Sequence, residues 1–485
     1  MTTMTNRARW IALYVLCLGD LMIVLDGTIV NVALPTIQED LGFSRESLAW
    51  VVNAYMLTFG GFLLLGGRLG DLFGHRRLFV IGTSLFTIAS LACGIANSQE
   101  TLVAARAVQG IGGAVVSAVA LSLIMTLFTE GGDRAKAMGV FGFVLSGGGV
   151  AGVLLGGILT DALDWHWIFL VNIPVGIAVV VLTMILLPGT PGHATGRVDF
   201  AGAITVTASL MLAVFAIVNG NDAGWTSLRT LGLLAASAAL MGLFLFIESR
   251  ISAPLMPLTI FRNRNVSTAN VVGALMAAGM FAYFFLSALY LQGILGYSAM
   301  EVGLAYLPST ILWGASSLLL SNRLVMRYGI NPPLIAGLGL MTIGLLLFAR
   351  TPVDGNYLLD ILPATLAVGL GGGIAFNPLL LAAMSGVEQE QAGLASGVVN
   401  TAFMMGGAVG LAILASLAAS RTDSLAASGD GDLAALNGGY HAAFLLGAVF
   451  VMVAIAVTAA LLRAGMPAHG HEEEAVGVPA AAEAD

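Results

Sequence analysis

Two carboxyls and one guanidinium stand where an oily sequence can least accommodate them. Asp26 lies in "LDGTIVNVALP", residues 25 to 35, within an apolar run that begins at Trp10; Asp20 precedes it in the same run, and Arg106 interrupts "LVAARAVQGIGGA". An ionised carboxylate in a bilayer costs at least ~2.5 kcal/mol even on the mildest insertion scale, so such a residue is by default functional. Burial disfavours the ionised form of a carboxyl. The group can then hold a proton in one environment and release it when water or a cation arrives. Thr28, Ile29 and Asn31 lie within one helical turn of Asp26. Proton or substrate coupling is therefore the expected chemistry of Asp26, with a permanently paired structural charge as the alternative. Asp20, nearer the end of the run, is a second candidate. Arg106 could lower the proton affinity of a carboxylate, counter an anionic substrate, or act as a fixed hydrogen-bonded strut. Spacing alone does not choose its partner.

The elements that must hold these groups follow from composition. The chain has 485 residues, 58% hydrophobic and 9% charged, with a mean hydropathy of +0.94; soluble domains carry about 25% charged residues. It reads as a polytopic membrane protein. Fourteen apolar stretches of span length start near Ile11, Leu48, Leu78, Leu102, Ala137, Trp167, Phe200, Leu228, Val266, Val302, Pro333, Tyr357, Gly393 and His441. Lipid offers no partner to an unpaired backbone group, so each span must be a helix and the fold class all-α. The first run is of span length and lacks a small-residue cleavage site, so it is expected to remain as a helix. Cys17 and Cys93 are the only cysteines, too few for a disulfide framework or a metal cluster. The net charge of −8 comes partly from the tail "HGHEEEAVGVPAAAEAD". That tail is expected to be solvated and disordered rather than metal-binding, and no nucleic-acid partner is expected.

Basic residues orient the spans. With a cytoplasmic N-terminus, that side holds Arg7, Arg9, Arg68, Arg76, Arg77, Arg134, Lys136, Arg197, Arg250, Arg262, Arg264, Arg323, Arg327 and Arg463, against Arg45, Arg229, Arg350 and Arg421 opposite. Fourteen against four predicts both termini in the cytoplasm. The exception is the loop around "GVEQEQAG", which carries only Glu388 and Glu390. The chain also repeats itself. "QEDLGFS" at Gln38 returns as "QGILGYS" at Gln292, and "GRLGDLFG", ending at Gly74, has an echo in "NRLVMRYG", ending at Gly329. Gly131, Ala137 and Gly152 recur as Gly386, Ala392 and Gly407. These anchors predict two parallel six-helix bundles, residues 1–190 and 251–465, with two inserted helices in 191–250 and a tail over 466–485. Parallel halves around a midplane site are one way secondary transporters are built.

At this point the sequence resembles the major facilitator superfamily, and within it the fourteen-span drug:proton antiporters of multidrug-efflux type, over nearly its whole length. "GGRLGDLFGHRRL" is similar to the superfamily's loop signature, with Gly67, Gly70, Asp71, Gly74, Arg76 and Arg77 in the matching places, although Leu72 and His75 replace residues more often basic. Arg106, Gln109 and Gly110 resemble the Arg-x-x-Gln-Gly pattern of span four. "GGVAGVLLGGIL" resembles the antiporter motif of span five through Gly148, Gly152, Gly156 and Gly157, with Val153 where a proline usually stands. That departure affects a hinge, not close packing. The opening stretch is similar to the first-span signature of the branch, and "WIFLVNIPVG" and "GLASGVVNTAFMMGGAVG" add weaker matches.

Each motif has a physical role to fill. Asp71 and the Arg76/Arg77 pair could lock one bundle to the other across the cytoplasmic seam and part as the bundles rock, besides setting topology. The glycine runs lie inside spans, where small residues allow close helix approach, so they are expected to pack rather than to cradle phosphate. Asn31, Gln109, Tyr283, Asn377, Asn400 and Met404 are candidate residues of a substrate cavity. Helix packing is the default for the aromatic and Met positions, which include Phe281, Phe284, Phe285, Phe403 and Met405. Lys136 in "DRAKAM" is the only lysine, so no Walker sequence is present and ATP hydrolysis is excluded on that ground. The ion gradient remains as the energy source, and no cofactor or metal is expected. The expected function is a proton-coupled antiporter of the cytoplasmic membrane, a monomer, that exports hydrophobic or amphiphilic small molecules by alternating access. An exporter dedicated to one secondary metabolite, siderophore or lipid is the closest alternative. A gated channel or a lipid-acting membrane enzyme explains the repeat and the missing catalytic motifs less well.

Overall fold

The computed structural model describes residues 5–128, 131–187, 189, 198–251, 254–388 and 391–463. The expected tail 466–485, Arg197 and Glu390 lie outside these residues. Among the described residues, fourteen helices are long and apolar enough to cross a membrane. They are α1 (Asn6–Leu41), α2 (Ser47–Phe73), α3 (His75–Gly94), α4 (Gln99–Leu127), α5 (Gly132–Ala162), α6 (Trp167–Leu186), α7 (Phe200–Val218), α8 (Leu228–Arg250), α9 (Arg264–Gly293), α10 (Ala299–Tyr328), α11 (Asn331–Phe348), α12 (Tyr357–Met384), α13 (Gly393–Ala427) and α14 (Asp432–Leu461). No strand occurs among the described residues.

The repeat seen in sequence reappears in backbone and packing. Gly42 and Gly296, the glycines of "QEDLGFS" and "QGILGYS", have φ of 66° and 71°; Gly74 and Gly329 have φ of 92° and 79°. Only glycine takes this left-handed region without strain, so the anchors of the repeat are the residues that end α1, α2 and α10 and turn the chain just beyond α9. Packing follows the same scheme. α5 lies on α1 as α13 lies on α9, while α4 packs on α2 and α3 as α12 packs on α10 and α11. Small residues permit both sets of approaches: a Cβ on Gly112 would fall 2.6 Å from the Phe86 nitrogen, and one on Gly344 2.8 Å from the Ala364 oxygen.

The two bundles meet mainly along two seams, α5 against α10 and α2 against α13, with a smaller contact of α1 on α9. The inserted α7 packs on both α2 and α13, with α8 outside it. Asn221 donates to the Ser416 carbonyl at 2.9 Å, which ties the insert to the second bundle. The last span starts at Asp432 rather than near His441. Its polar first turns are held by one carbonyl, Thr351 O, which lies 2.8 Å from both Asn437 Nδ2 and His441 Nε2.

Candidate coupling and gating sites

Five helices of the first bundle converge on Asp26. Its Oδ2 accepts from Arg106 Nη1, and its Oδ1 accepts from Gln109 Nε2 at 2.7 Å and Asn172 Nδ2 at 3.2 Å. Arg106 also donates to Gln109 Oε1 at 2.7 Å and, through Nε, to the Val51 carbonyl at 3.0 Å. Its guanidinium lies 4.4 Å from the centre of the Tyr55 ring and 5.5 Å from that of Phe169. Gln109 reaches Ser90 Oγ at 2.8 Å. Asp26, Arg106 and Gln109 are each at most 1% exposed. Both charges are thus paired and their hydrogen-bonding capacity largely met, the condition under which a buried ion pair is tolerable. The partner of Arg106 that spacing left open is Asp26. Asn172 and Ser90 complete a cluster that sequence did not announce.

Asp20 lies towards the arginine-rich end of α1 and is 3% exposed. Its Oδ1 accepts from Ser117 at 2.8 Å, while its Oδ2 has no partner among the described residues. Asn31 turns back on its own helix, donating to the Gly27 and Thr28 carbonyls.

The α2–α3 loop stays within its own bundle. Asp71 lies 3.3 Å from His75, and Arg76 donates to the Met184 carbonyl at 2.6 Å. Gly74 supplies the turn, Arg77 is exposed and Gly67 has open space around it. Gly70 allows α2 onto α4, since a Cβ there would fall 2.7 Å from Val119 Cγ1. Among the described residues, no cross-bundle hydrogen bond or salt bridge forms at this end in this conformation.

The opposite, Arg45-bearing end is bridged, although a cavity of about 260 Å³ lies between the bundles beside Arg45, Phe285 and Tyr440. Among the described residues, the hydrogen bonds between the two bundles are Gln292 Nε2 to Val32 O at 2.8 Å and the Ala299 and Met300 backbone N–H groups to the Asp161 carboxylate at 3.2 and 2.9 Å. Asp161, at the end of α5, thereby caps the first turn of α10, where anionic groups are favoured. The span-five glycines divide between this seam and the packing of α5 in its own bundle. Gly148, Gly152 and Gly156 seat α5 on Leu21, Leu25 and Ile29 of α1, whereas Gly157 faces Ala299 and Met300 of α10.

Residues 16–411 match the sequence profile of the Major Facilitator Superfamily. The chain belongs to that superfamily. It is 38% identical to the puromycin resistance protein pur8 of Streptomyces alboniger, over 93% of this chain and 90% of that protein. It is 37% identical to the cephamycin export protein CmcT of Amycolatopsis lactamdurans, over 96% and 94%. A bacterial homologue of the human lysosomal transporter Spinster shares the fold, with a TM-score of 0.66, 16% identity and coverage of 94% and 97%. The protein is accordingly a multi-pass membrane transporter rather than an enzyme.

The candidate cavity residues of this transporter separate into two groups. Tyr283 is fully buried in the core of the second bundle, with Phe284, Phe348 and Tyr306 ring centres 4.8, 5.4 and 6.1 Å away, so in this conformation it packs rather than lines an opening. Gln109 belongs to the Asp26 cluster. Asn377 donates to the Ser317 carbonyl at 3.0 Å and Asn400 to that of Ser396 at 3.0 Å, and both are half-buried. Met404 lies at the seam, against Gly60 of α2. Next to it, Phe403 stands between Phe281 and Phe376, with centroids 6.0 and 5.5 Å away. Phe376 was not distinguishable in sequence from a packing residue. Among the described residues, no group of three or more His, Cys, Asp or Glu gathers as a metal site.

The Asp161 cap has a direct consequence. Removing it with Asp161→Ala strips two cross-bundle hydrogen bonds, each worth about 0.5–1.5 kcal/mol or more when charge-assisted. A cysteine placed at buried Ala299 should therefore react with a membrane-impermeant maleimide at least about threefold faster in the Asp161→Ala background. Equal labelling rates would show that the cap does not hold the seam.

Proposed function

We propose that this transporter exports hydrophobic or amphiphilic small molecules in exchange for protons, with both termini cytoplasmic and the Arg45 end outside. Fourteen of the eighteen basic residues outside Arg106 then fall on the cytoplasmic side. In that orientation the cross-bundle hydrogen bonds among the described residues all lie at the outer end, which supports a conformation that loads cargo from inside. The relatives named for puromycin resistance and cephamycin export support an exported small molecule as cargo. Phe281, Phe376, Phe403 and Met404, where the bundles meet, offer an apolar and adaptable wall suited to it.

The observation that carries the coupling is the sealed ion pair of Asp26 and Arg106. A proton delivered to Asp26 removes the charge that Arg106 balances, so the pair weakens. Gln109 and Asn172 remain able to donate to the neutral acid. Of the helices holding these groups, α1 also meets the second bundle, where Val32 accepts from Gln292, so movement of the bundles changes the setting of Asp26 and protonation has a different free energy in the two facing states. That difference is what allows a proton to shift the equilibrium. Asp20 lies between this cluster and the arginine-rich end, and ionised it would be a buried charge without a cation among the described residues. It serves as the relay through which Asp26 exchanges protons with the cytoplasm. One chain contains the whole site, so a monomer suffices, and the gradient replaces any cofactor. Closure of Asp71, Arg76 and Arg77 across the seam belongs to the opposite, outward-open state.

Reconstituted protein tested with cationic dyes, neutral lipophiles and anions decides the reading. An imposed pH gradient should drive a cargo uphill towards the more acidic compartment, and a protonophore should stop it. Flux that ignores the gradient would sink antiport. The name of the cephamycin exporter supports a second reading, transport of a single metabolite, in which one compound of the panel is moved and the rest are not.

A further inference from the structure

We infer that Asp199 and Glu248 share a single proton, forming a second protonation site that braces the inserted helices against the stretch leading into the second bundle. The site is independent of the Asp26 cluster and of the export reading. Asp199 immediately precedes α7 and is 1% exposed; Glu248 lies in the last turn of α8 and is 3% exposed. One oxygen of each is committed to backbone: Gly202 N–H donates to Asp199 Oδ1 at 2.7 Å, and Met256 N–H to Glu248 Oε2 at 3.2 Å. The remaining oxygens, Asp199 Oδ2 and Glu248 Oε1, are buried with no hydrogen-bond partner among the described residues. They converge over Gly202, where a Cβ would fall 2.8 Å from Glu248 Oε1 and clash with Asp199 Oδ2. Two acceptors facing each other without a donor is a costly arrangement, and two ionised carboxylates so close repel. One proton between them converts the repulsion into an O–H···O bond, as in other carboxyl pairs that cannot both ionise.

Among the described residues, the surroundings supply no salt-bridging counter-charge. Beyond this pair, α7 has no titratable group and residues 254–257 have none. α8 adds Arg229 at its far end and Arg250, whose guanidinium sits 5.2 Å from the Phe246 ring. Of the helices packed on α7, α2 carries Tyr55, Arg68 and Asp71 and α13 carries Arg421 and Asp423. None of these forms a salt bridge with Asp199 or Glu248 among the described residues. Arg197 lies outside those residues. With the proton in place, Glu248 is held where it accepts from Met256, so α7, α8 and residues 254–257 act as one piece. Loss of the proton pushes the two carboxylates apart and frees the Met256 N–H.

Amide hydrogen exchange on the full chain in lipid nanodiscs tests this. After correction for intrinsic pH dependence, exchange at Met256 should accelerate by at least about tenfold as the pair loses its proton, one bound proton allowing up to tenfold per pH unit. Glu248→Gln, whose amide donates as the proton did, should stay protected at both ends of the pH range, and Glu248→Ala should be unprotected at both. Asp199→Asn should behave like Glu248→Gln and serves if that variant does not fold. Arg197→Gln should leave the pH response intact. The inference is overturned if parental protection is independent of pH, if the Gln and Ala variants at 248 exchange alike, or if Arg197→Gln abolishes the response.

Discussion

Arg106→Ala is expected to abolish gradient-driven transport and to destabilise the first bundle by about 3–5 kcal/mol, the usual consequence of leaving one member of a buried ion pair alone. The loss has three parts. Asp26 keeps only neutral donors, the Val51 carbonyl loses the guanidinium, and a void opens beneath the Tyr55 ring. A destabilised protein would also transport poorly, so the informative variant is the double one. Asp26→Asn with Arg106→Gln removes both charges and keeps amides able to bond to one another and to Gln109. Thermal unfolding in detergent should show most of the stability restored, whereas proteoliposomes should show no uphill transport. Recovery of both would make the pair a strut and nothing more.

Gly157→Val is expected to stop transport without unfolding the protein. A Cβ at Gly157 would fall 2.7 Å from Met300 Cα and 2.8 Å from the Ala299 oxygen, both on the other bundle. The substitution therefore overpacks a contact that exists only while the Arg45 end is closed. Overpacking of this kind costs about 1–3 kcal/mol, enough to shift the equilibrium between facing states by about 5–150-fold. The neighbouring Gly156→Val meets Ile29 of α1, in its own bundle, 2.7 Å from the backbone oxygen. It should lower the unfolding temperature instead. Paired unfolding and transport assays separate the two, and a Gly157→Val protein that unfolds as readily as Gly156→Val would show that the seam is not a moving one.

The helices were legible because lipid leaves the backbone no other solution, and thirteen of the starts lie close to those expected. The repeat was legible because Gly42, Gly74, Gly296 and Gly329 occupy backbone conformations that few residues tolerate. Asp26, Arg106 and Gln109 could be singled out, since a charged or amide side chain in an apolar run is conspicuous. The contact of Asp26 with the other two could not, because it joins residues 80 or more positions apart. Asn172 and Ser90 were invisible because their partners lie on other helices, 146 and 19 positions away. Asp161, Asp199 and Glu248 stand at span ends, where a carboxyl looks solvated, and only the packing of a second helix shows what each faces. The polar start of α14 fell outside the span expected from near His441 because its acceptor, Thr351 O, belongs to a distant turn.

The most direct test is transport by Asp26→Asn protein in proteoliposomes, with exchange and uphill flux measured on the same preparation. Asparagine keeps the size of the side chain but cannot bind and release a proton. Labelled cargo should still equilibrate against unlabelled cargo, showing that the bundles move, while an imposed pH gradient should no longer concentrate it. Accumulation at the parental rate would contradict the assignment of the proton to Asp26.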